Sequence, residues 1–177
     1  MLRCLLLTGI CGLLSTAAGC SGESTDAAAL ASLRKQYLLS EEPAGAVTLL
    51  TAREELPAEG EMVMVGFIAK VEQPFAADRA VFVLADPTLL CEEEEHHHAD
   101  GCDAHCPFCA RKKEDNSESM ALVEVVDASG AVLRHGAQPL FDLAPEQVVV
   151  VRGKPRVDAA GHLLIAASGI YVRRAAQ

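Results

Sequence analysis

Five apolar runs separated by turn-forming residues constrain the fold of this chain more than any other feature. They are rich in Val, Leu and Ile, and each has the length of a strand. The runs cover residues 62–71, 80–85, 120–127, 148–157 and 163–172. Turn signals follow three of them, as Asp86-Pro87, Ser129-Gly130 and the stretch 158–161. The pattern predicts a mainly β domain whose five strands form a small Greek-key barrel.

Two smaller features refine the predicted barrel. Gly66 interrupts the first run, where a glycine often marks a bend or a bulge, and we expect the neighbouring Val65 in the core. The apolar stretch 47–50 predicts one more short strand, and residues 138–143 predict a helical turn between the third and fourth strands.

A helix is predicted ahead of the strands. Residues 27–39 are rich in Ala and Leu, and Leu30, Leu33 and Tyr37 fall on one face at helical spacing. Thr25 or Asp26 is placed to cap its first turn. We expect this helix to pack on the domain, with binding of a partner as the alternative.

Composition narrows the classes of protein. The chain has 177 residues, half of them hydrophobic, and a formal net charge of -10. This length suits one domain with appendages. The negative charge argues against a general nucleic-acid binder, because phosphate contacts need clustered positive charge. A polytopic membrane protein is excluded, because no apolar run reaches the roughly 18 residues that a span requires.

The first residues have the pattern of an export signal. Residues 1–19 contain one early basic residue, Arg3, a short apolar stretch and then small residues. The sequence Ala17-Ala18-Gly19-Cys20 resembles the bacterial lipobox, which implies removal of residues 1–19 and lipidation of Cys20. The protein would then be exported and anchored by lipid to a bacterial membrane, in an oxidising compartment. An ordinary secretory signal with an accidental cysteine is the alternative.

A cysteine- and histidine-rich stretch, residues 90–119, lies between the second and third strands. It holds all four cysteines that follow Cys20 and four of the six histidines. Four thiolates suit tetrahedral zinc, and soft sulfur ligands favour zinc or, less strongly, copper(I). The candidate ligands are Cys91, Cys102, Cys106, Cys109 and His105, with His96, His97 and His98 as secondary ligands. A connection this long in a small domain is typically functional or disordered.

Three other interpretations of these cysteines stay open. They could form two disulfides, in any of three pairings that the sequence does not distinguish. Cys106-Pro107-Phe108-Cys109 resembles the redox dithiol of glutaredoxin-type proteins, although no βαβ pattern surrounds it. The spacing Cys-x3-Cys-x2-Cys equals that of iron–sulfur radical enzymes, whose large barrel domain does not fit this length.

The strand motifs carry a family resemblance. VMVGFIAKV, FVLADP, ALVEVVDASGAVL, VVVVRGKPRVDAAGHLLI and SGIYV together resemble the OB-fold over residues 60–173. The whole chain is similar to exported planctomycete-type lipoproteins that carry an OB-fold domain with a Cys/His insertion ending in Cys-x-x-Cys. The resemblance implies a signal peptide at 1–19, a tether and helix at 20–45, and an OB-fold-like barrel at 46–177. It implies no established activity.

Signals for nucleic-acid binding or catalysis are weak. Arg152, Lys154 and Arg156 alternate along the fourth strand, which is typical of a solvated strand face, and Phe67 and Phe82 lie in apolar runs expected in the core. No catalytic triad, paired carboxylates or phosphate loop is recognisable. His135 and His162 are expected on the surface.

The sequence therefore favours a non-enzymatic, lipid-anchored domain with a structural or metal-handling zinc site. A disulfide-stapled barrel that binds a ligand or partner is the first alternative, and a thiol redox protein is the second. The lipid anchor predicts a membrane as partner. We expect no nucleic acid, and the sequence identifies no protein partner.

Overall fold

Five strands close into one sheet in the structure, a computed structural model that describes residues 22–89 and 117–173. The strands are β1 Met62–Ile68, β2 Val81–Ala85, β3 Met120–Val125, β4 Val148–Val157 and β5 Leu163–Val172. Neighbours follow the order β1-β2-β3-β5-β4, and β4 pairs with β1 to close the sheet. These pairs are antiparallel except that of β3 with β5, which is parallel. The prediction of a mainly β, five-stranded domain is confirmed.

The two long C-terminal strands have the predicted bounds. Strands β1 and β3 end earlier than their apolar runs, and β2 begins one residue after the start of its run. Beyond β3, Val126 still forms a bridge with Val132 across a turn in which Gly130 has a φ of +84°. Beyond β1, the apolar run continues to Val71, which is 39% exposed. Apolar composition therefore extends past the hydrogen-bonded ladder at these strand ends.

Three helices lie wholly within the described residues, α1 Gly22–Tyr37, α2 Leu49–Glu54 and α3 Ala137–Phe141. Helix α1 begins at Gly22 rather than at residue 27, so Thr25 and Asp26 lie within the helix and not ahead of its first turn. Its predicted face is confirmed, because Tyr37 is buried and Leu30 and Leu33 pack against the core.

Helix α2 replaces the short strand predicted at residues 47–50. Only Val47 pairs with β1, through a bridge to Met64. The hydroxyl of Thr48 then accepts a hydrogen bond from the Thr51 N–H at 3.3 Å and caps the helix. Leu49 and Ala52 are fully buried. Burial of these two side chains and the cap account for a six-residue helix that is too short to be stable alone.

The core lies inside the closed sheet. Side chains alternate between its two faces, so Met64 and Ile68 of β1 point inward with Phe82 and Leu84 of β2, all four fully buried. Val65 is only half-buried, because the same alternation turns it to the other face. The expectation that Val65 belongs to the core was wrong, and Met64 takes that place.

The bulge expected at Gly66 lies elsewhere. The register of β1 with β4 runs unbroken from Met62 to Phe67, and the irregularity falls in β4, between Arg152 and Gly153. Gly66 serves close approach instead, because a Cβ there would lie 2.6 Å from the carbonyl oxygen of Ala85.

Candidate functional site

The residues predicted to carry the chemistry lie outside the described residues. This holds for the lipidation residue and for every proposed metal ligand, namely Cys20, Cys91, Cys102, Cys106, Cys109, His105, His96, His97 and His98. The structure describes both flanks of the stretch that contains the ligands, up to Leu89 on one side and from Ser117 on the other. The contacts of these flanks define where the chain leaves β2 and where it enters β3.

The two flanks meet at one end of the β2–β3 pair. Ala85 is the register partner of Met120, and the N–H of Asp86 donates to the carbonyl oxygen of Ser119 at 2.8 Å. Residues 86–119, the β2–β3 connection, therefore start and finish beside each other on an antiparallel ladder. The chain that leaves β2 returns to β3 at a fixed point.

Asp86 organises the departing flank. It is the one acidic or basic residue that is fully buried among those the structure describes. Its Oδ1 accepts hydrogen bonds from the N–H and the hydroxyl of Thr88, at 3.0 and 2.8 Å, and its Oδ2 accepts from the N–H of Leu50 at 3.0 Å. Three donors thus satisfy a carboxyl group whose burial would otherwise be costly. In the sequence, Asp86-Pro87 indicated only a turn and not this hydrogen-bonding role of Asp86.

Arg53 organises the returning flank from helix α2. Its Nε donates to the carbonyl oxygen of Glu118 at 3.1 Å, and its Nη1 donates to the carbonyl oxygen of Gly161 at 2.6 Å. The remaining nitrogen, Nη2, is buried and has no hydrogen-bond partner among the described residues. One guanidinium therefore joins α2 to both the β2–β3 connection and the β4–β5 turn. No motif in the sequence indicated this role.

An apolar cluster on the outer face of the sheet lies at the same end. Phe67, Ala69 and Ala85 are buried there, although they do not belong to the inner core. Partly buried side chains complete the cluster, namely Val83, Leu89, Met120 and Val148. Leu89 is the last described residue before the 90–116 segment. The departing chain is therefore held by apolar packing as well as by Asp86. Phe67 is buried, as predicted, but in this outer cluster.

The basic face predicted on β4 is largely neutralised by acidic neighbours. The Nε of Arg152 lies 3.6 Å from Oε2 of Glu61, and the Nη2 of Arg156 lies 3.3 Å from Oε2 of Glu124. The side chains of both arginines are about half exposed, which is typical of a solvated strand face. Exposed ion pairs of this kind contribute little to stability.

The β4–β5 turn holds one of the two described histidines. The Nδ1 of His162 lies 3.3 Å from an oxygen of Asp158, and the Asp158 carboxylate also accepts the backbone N–H groups of Ala160 and His162. The backbone bond from His162 is the largest cause that holds the pKa of Asp158 below its ordinary value. His162 and His135 are both exposed, as predicted.

A groove of about 1150 Å³ lies between α1, α3 and the end of β5. Leu30, Leu140 and Tyr171 line it together with the basic residues Arg34 and Lys35. The Nε of Arg34 donates to the carbonyl oxygen of Leu140 at 2.8 Å and fixes α1 across the groove. The groove shares no lining residue with the flanks of the 90–116 segment, so it is a separate surface.

Neither a metal-ligand cluster nor a membrane span is found in the part of the chain that the structure describes. Residues 22–89 and 117–173 contain no group of three His, Cys, Asp or Glu side chains placed to hold an ion. Within the same ranges, no helix combines the length and the apolar character that crossing a bilayer demands. In comparisons with known proteins, the chain matches no family model and no curated protein.

Proposed function

We propose that this protein is an exported, lipid-anchored OB-fold domain whose β2–β3 connection binds zinc through four cysteine thiolates. The observation that carries the proposal is that the two ends of this connection are hydrogen-bonded to each other. The Asp86 N–H to Ser119 carbonyl bond and the pairing of Ala85 with Met120 hold its two flanks side by side. When the ends of a long loop are already held together, less entropy is lost in bringing its distant cysteines together.

The strand arrangement supports the OB-fold part of the proposal. An OB-fold is a small five-stranded Greek-key barrel. The order β1-β2-β3-β5-β4, the parallel β3–β5 pair and the helix α3 between β3 and β4 agree with that plan. In this reading the Cys/His stretch is an insertion between the second and third strands of the barrel.

Chain length supports convergence of the thiolates. Cys91 lies two residues after Leu89, so extended-chain geometry limits its Cα to within about 7 Å of that of Leu89. Cys109 lies eight residues before Ser117, which gives it a reach of up to about 28 Å. The chain is therefore long enough for Cys102, Cys106 and Cys109 to lie beside Cys91. The histidines and the Glu92–95 run, which a disulfide pair would not require, favour a cation.

The start of α1 bears on the anchor. The helix begins at Gly22, two residues after Cys20, and packs on the core through Leu30, Leu33 and Tyr37. A diacylated Cys20 would hold the domain stably at the membrane surface, since two acyl chains suffice for anchoring. Replacement Cys20→Ala should move the protein from the membrane fraction to the soluble fraction. A variant that stays in the membrane fraction like the parent would contradict the anchor.

A disulfide-stapled binding domain is the second candidate. The open groove between α1, α3 and β5 favours it, because Leu30, Leu140 and Tyr171 offer apolar surface to a ligand or partner. In this version the cysteines only close the β2–β3 connection, and an oxidising compartment would favour that outcome.

Metal content tests the proposal directly. Protein comprising residues 21–177, which retains all described helices and strands, is purified without a His tag or chelator. We expect stoichiometric zinc by elemental analysis, most of it lost in Cys106→Ser and little of it lost in the matched variant His97→Ala. Zinc affinity should also fall as the pH drops, because protons compete for the thiolates. Stoichiometric copper would change the metal assignment only, whereas metal-free protein without free thiols would favour the disulfide-stapled domain.

A further inference from the structure

One stripe of α1 forms a wall of the groove between α1, α3 and the end of β5, which we call the α1 groove. Members of the stripe recur at intervals of three or four residues, so they share one face of the helix. They are Ala27, Leu30, Ala31, Arg34, Lys35 and Leu38. Leu38 continues the helical pattern, since its N–H donates to the carbonyl oxygen of Arg34 at 2.8 Å. A helix rises about 17 Å over these residues, so the wall extends over about three helical turns.

The size and the walls of the α1 groove suit an elongated partner. Its volume of about 1150 Å³ exceeds the roughly 300–1,000 Å³ of ordinary small-molecule pockets. Leu140 of α3 and Tyr171 of β5 add to its apolar lining. Ala27 and Ala31 are small and exposed, so the backbone of a partner can come close to α1. A helix makes its own backbone hydrogen bonds and needs only side-chain contacts from a groove, so a partner helix of about three turns fits these walls.

The α1 groove is positively charged on a chain whose formal net charge is -10. Among the described residues that line it, Arg34 and Lys35 are the charged ones, and none is acidic. Two bonds fix the guanidinium of Arg34, because Nε donates to the carbonyl oxygen of Leu140 at 2.8 Å and Nη2 donates to that of Pro139 at 3.3 Å. Lys35 is exposed and forms no ion pair with any described residue. The groove therefore complements a partner with carboxylates.

The same charges count against a second copy of this chain as the occupant. Two copies that pack α1 against α1 about a two-fold axis present the same surface to each other. Arg34 and Lys35 of one copy would then face the same two residues of the other, and like charges brought together at an interface are unfavourable. A partner of opposite charge avoids this cost.

We propose that the α1 groove binds an amphipathic helix of a partner protein that carries acidic residues beside its apolar face. The apolar face packs on Leu30, Leu140 and Tyr171, and the carboxylates pair with Arg34 and Lys35. This inference does not depend on whether the cysteines bind zinc. It assigns a class of partner to the groove that the disulfide-stapled alternative also uses.

Binding of two synthetic peptides to the exported protein tests the proposal. Each peptide is an amphipathic helix of about three turns, kept helical by a side-chain staple, with Leu on one face. One carries Glu beside that face, and the other carries Lys. The protein is held in nanodiscs of zwitterionic lipid, because free detergent would fill an apolar groove. By fluorescence anisotropy, we expect the Glu peptide to bind at least about tenfold more tightly than the Lys peptide, and added salt to weaken its binding.

Two pairs of matched variants locate the binding. Lys35→Glu reverses a charge in the groove, and Lys154→Glu makes the same change at an exposed position of β4 outside it. Ala31→Trp fills the groove, and Ala29→Trp places the same side chain on an exposed part of α1 that does not line it. We expect Lys35→Glu and Ala31→Trp each to bind the Glu peptide about tenfold more weakly than the parent, and both controls to match the parent. If Ala31→Trp fails to fold, the lysine pair still decides.

The other outcomes overturn the proposal. Equal affinity for the Glu and Lys peptides would refute the acidic partner. Equal binding of the Glu peptide by Lys35→Glu and Lys154→Glu would show that it binds outside the α1 groove. A parent that leaves the Glu peptide free but binds vesicles of anionic phospholipid more tightly than Lys35→Glu does would identify a lipid surface as the occupant. None of these outcomes affects the zinc proposal, which elemental analysis decides separately.

Discussion

Two antiparallel pairs of strands in this molecule are joined in opposite ways. The β4–β5 pair turns through a few residues around Asp158 and Gly161, whereas the β2–β3 pair is joined through residues 86–119. An aspartate follows the first strand in both cases. Among the described residues, Asp158 accepts bonds only from residues of its own turn, and Asp86 also accepts one from Leu50, 36 positions away. The short turn is closed mainly by bonds among its own residues, with one more from Arg53 to Gly161, whereas α2 bonds to both ends of the long connection.

Burial separates the two aspartates as well. Asp86 is fully buried, while the side chain of Asp158 is 33% exposed. A buried carboxyl group must keep all its donors, because an unpaired donor or acceptor away from water is costly. Arg53 bonds to both regions, through Glu118 and Gly161, so the two pairs of strands share one support.

The largest effect is expected from Asp86→Ala. It removes a fully buried carboxylate and leaves the partly buried N–H groups of Leu50 and Thr88 without that acceptor, which should cost about 3 kcal/mol of unfolding free energy. The matched variant Asp158→Ala should cost clearly less, because water can replace its carboxylate. Urea denaturation followed by circular dichroism measures both. Equal losses would mean that the long connection is closed by local bonds after all.

The sequence predicted the short connection well and the long one poorly, for a physical reason. The bounds of β4 and β5 were predicted correctly, because neighbouring residues determine long apolar strands and the turn at 158–161 between them. Asp86 and Arg53 act through partners 36, 65 and 108 positions away, which no local pattern records. Helix α2 was missed because the apolar stretch 47–50 was interpreted as a strand, whereas burial of Leu49 and Ala52 and the Thr48 cap hold the chain as a helix. The candidate ligands remain a prediction from the sequence.

A smaller loss of unfolding free energy is expected when a substitution strains only the β4–β5 turn. Gly161 has a φ of +89°, which side chains rarely adopt, although a Cβ there would meet no atom within 4 Å. Gly161→Ala should therefore lower the unfolding free energy by about 1 kcal/mol through backbone strain alone. The exposed Ala160→Ser in the same turn should cost nothing measurable. If Gly161→Ala is as stable as the parent, turn geometry does not determine the closure of this hairpin.

A still smaller, pH-dependent effect should distinguish the exposed aspartate. The pKa of Asp158 lies below its ordinary value of 3.8, chiefly because the backbone N–H of His162 donates to the carboxylate. Its ionised form therefore stabilises the fold above that value, and the contribution is lost as the pH falls through the lower folded pKa. Relative to Asp158→Asn, the parent should be more stable near neutrality, and the difference should vanish at low pH.

The comparison of parent and variant is necessary in this titration. The pKa values of Asp127 and Glu42 are also lowered, by the side-chain hydrogen bonds of Ser129 and Arg173 respectively. Both groups contribute equally to parent and variant, so the difference isolates Asp158. A stability difference that persists unchanged as the pH falls far below the ordinary value of 3.8 would contradict the assignment to its ionised form.

Metal removal should have the smallest effect on the sheet. The five strands pair with each other through residues that the structure describes, and the core lies inside them. Chelation of zinc should therefore leave the far-ultraviolet circular dichroism of the β-sheet unchanged. Proteolysis within residues 90–116 should meanwhile accelerate, and cleavage at the β4–β5 turn should not. Global unfolding after chelation would show that the β2–β3 connection supports the whole fold.

Thiol accessibility distinguishes metal thiolates from disulfides in one sample. The exported protein, purified without reductant or chelator, is alkylated before and after addition of a chelator, and the modified cysteines are identified by mass spectrometry. If the four cysteines bind zinc, we expect Cys91, Cys102, Cys106 and Cys109 to resist alkylation at first and to react together once the metal is removed. Cysteines that react only after a reductant is added, whatever the chelator does, would contradict it.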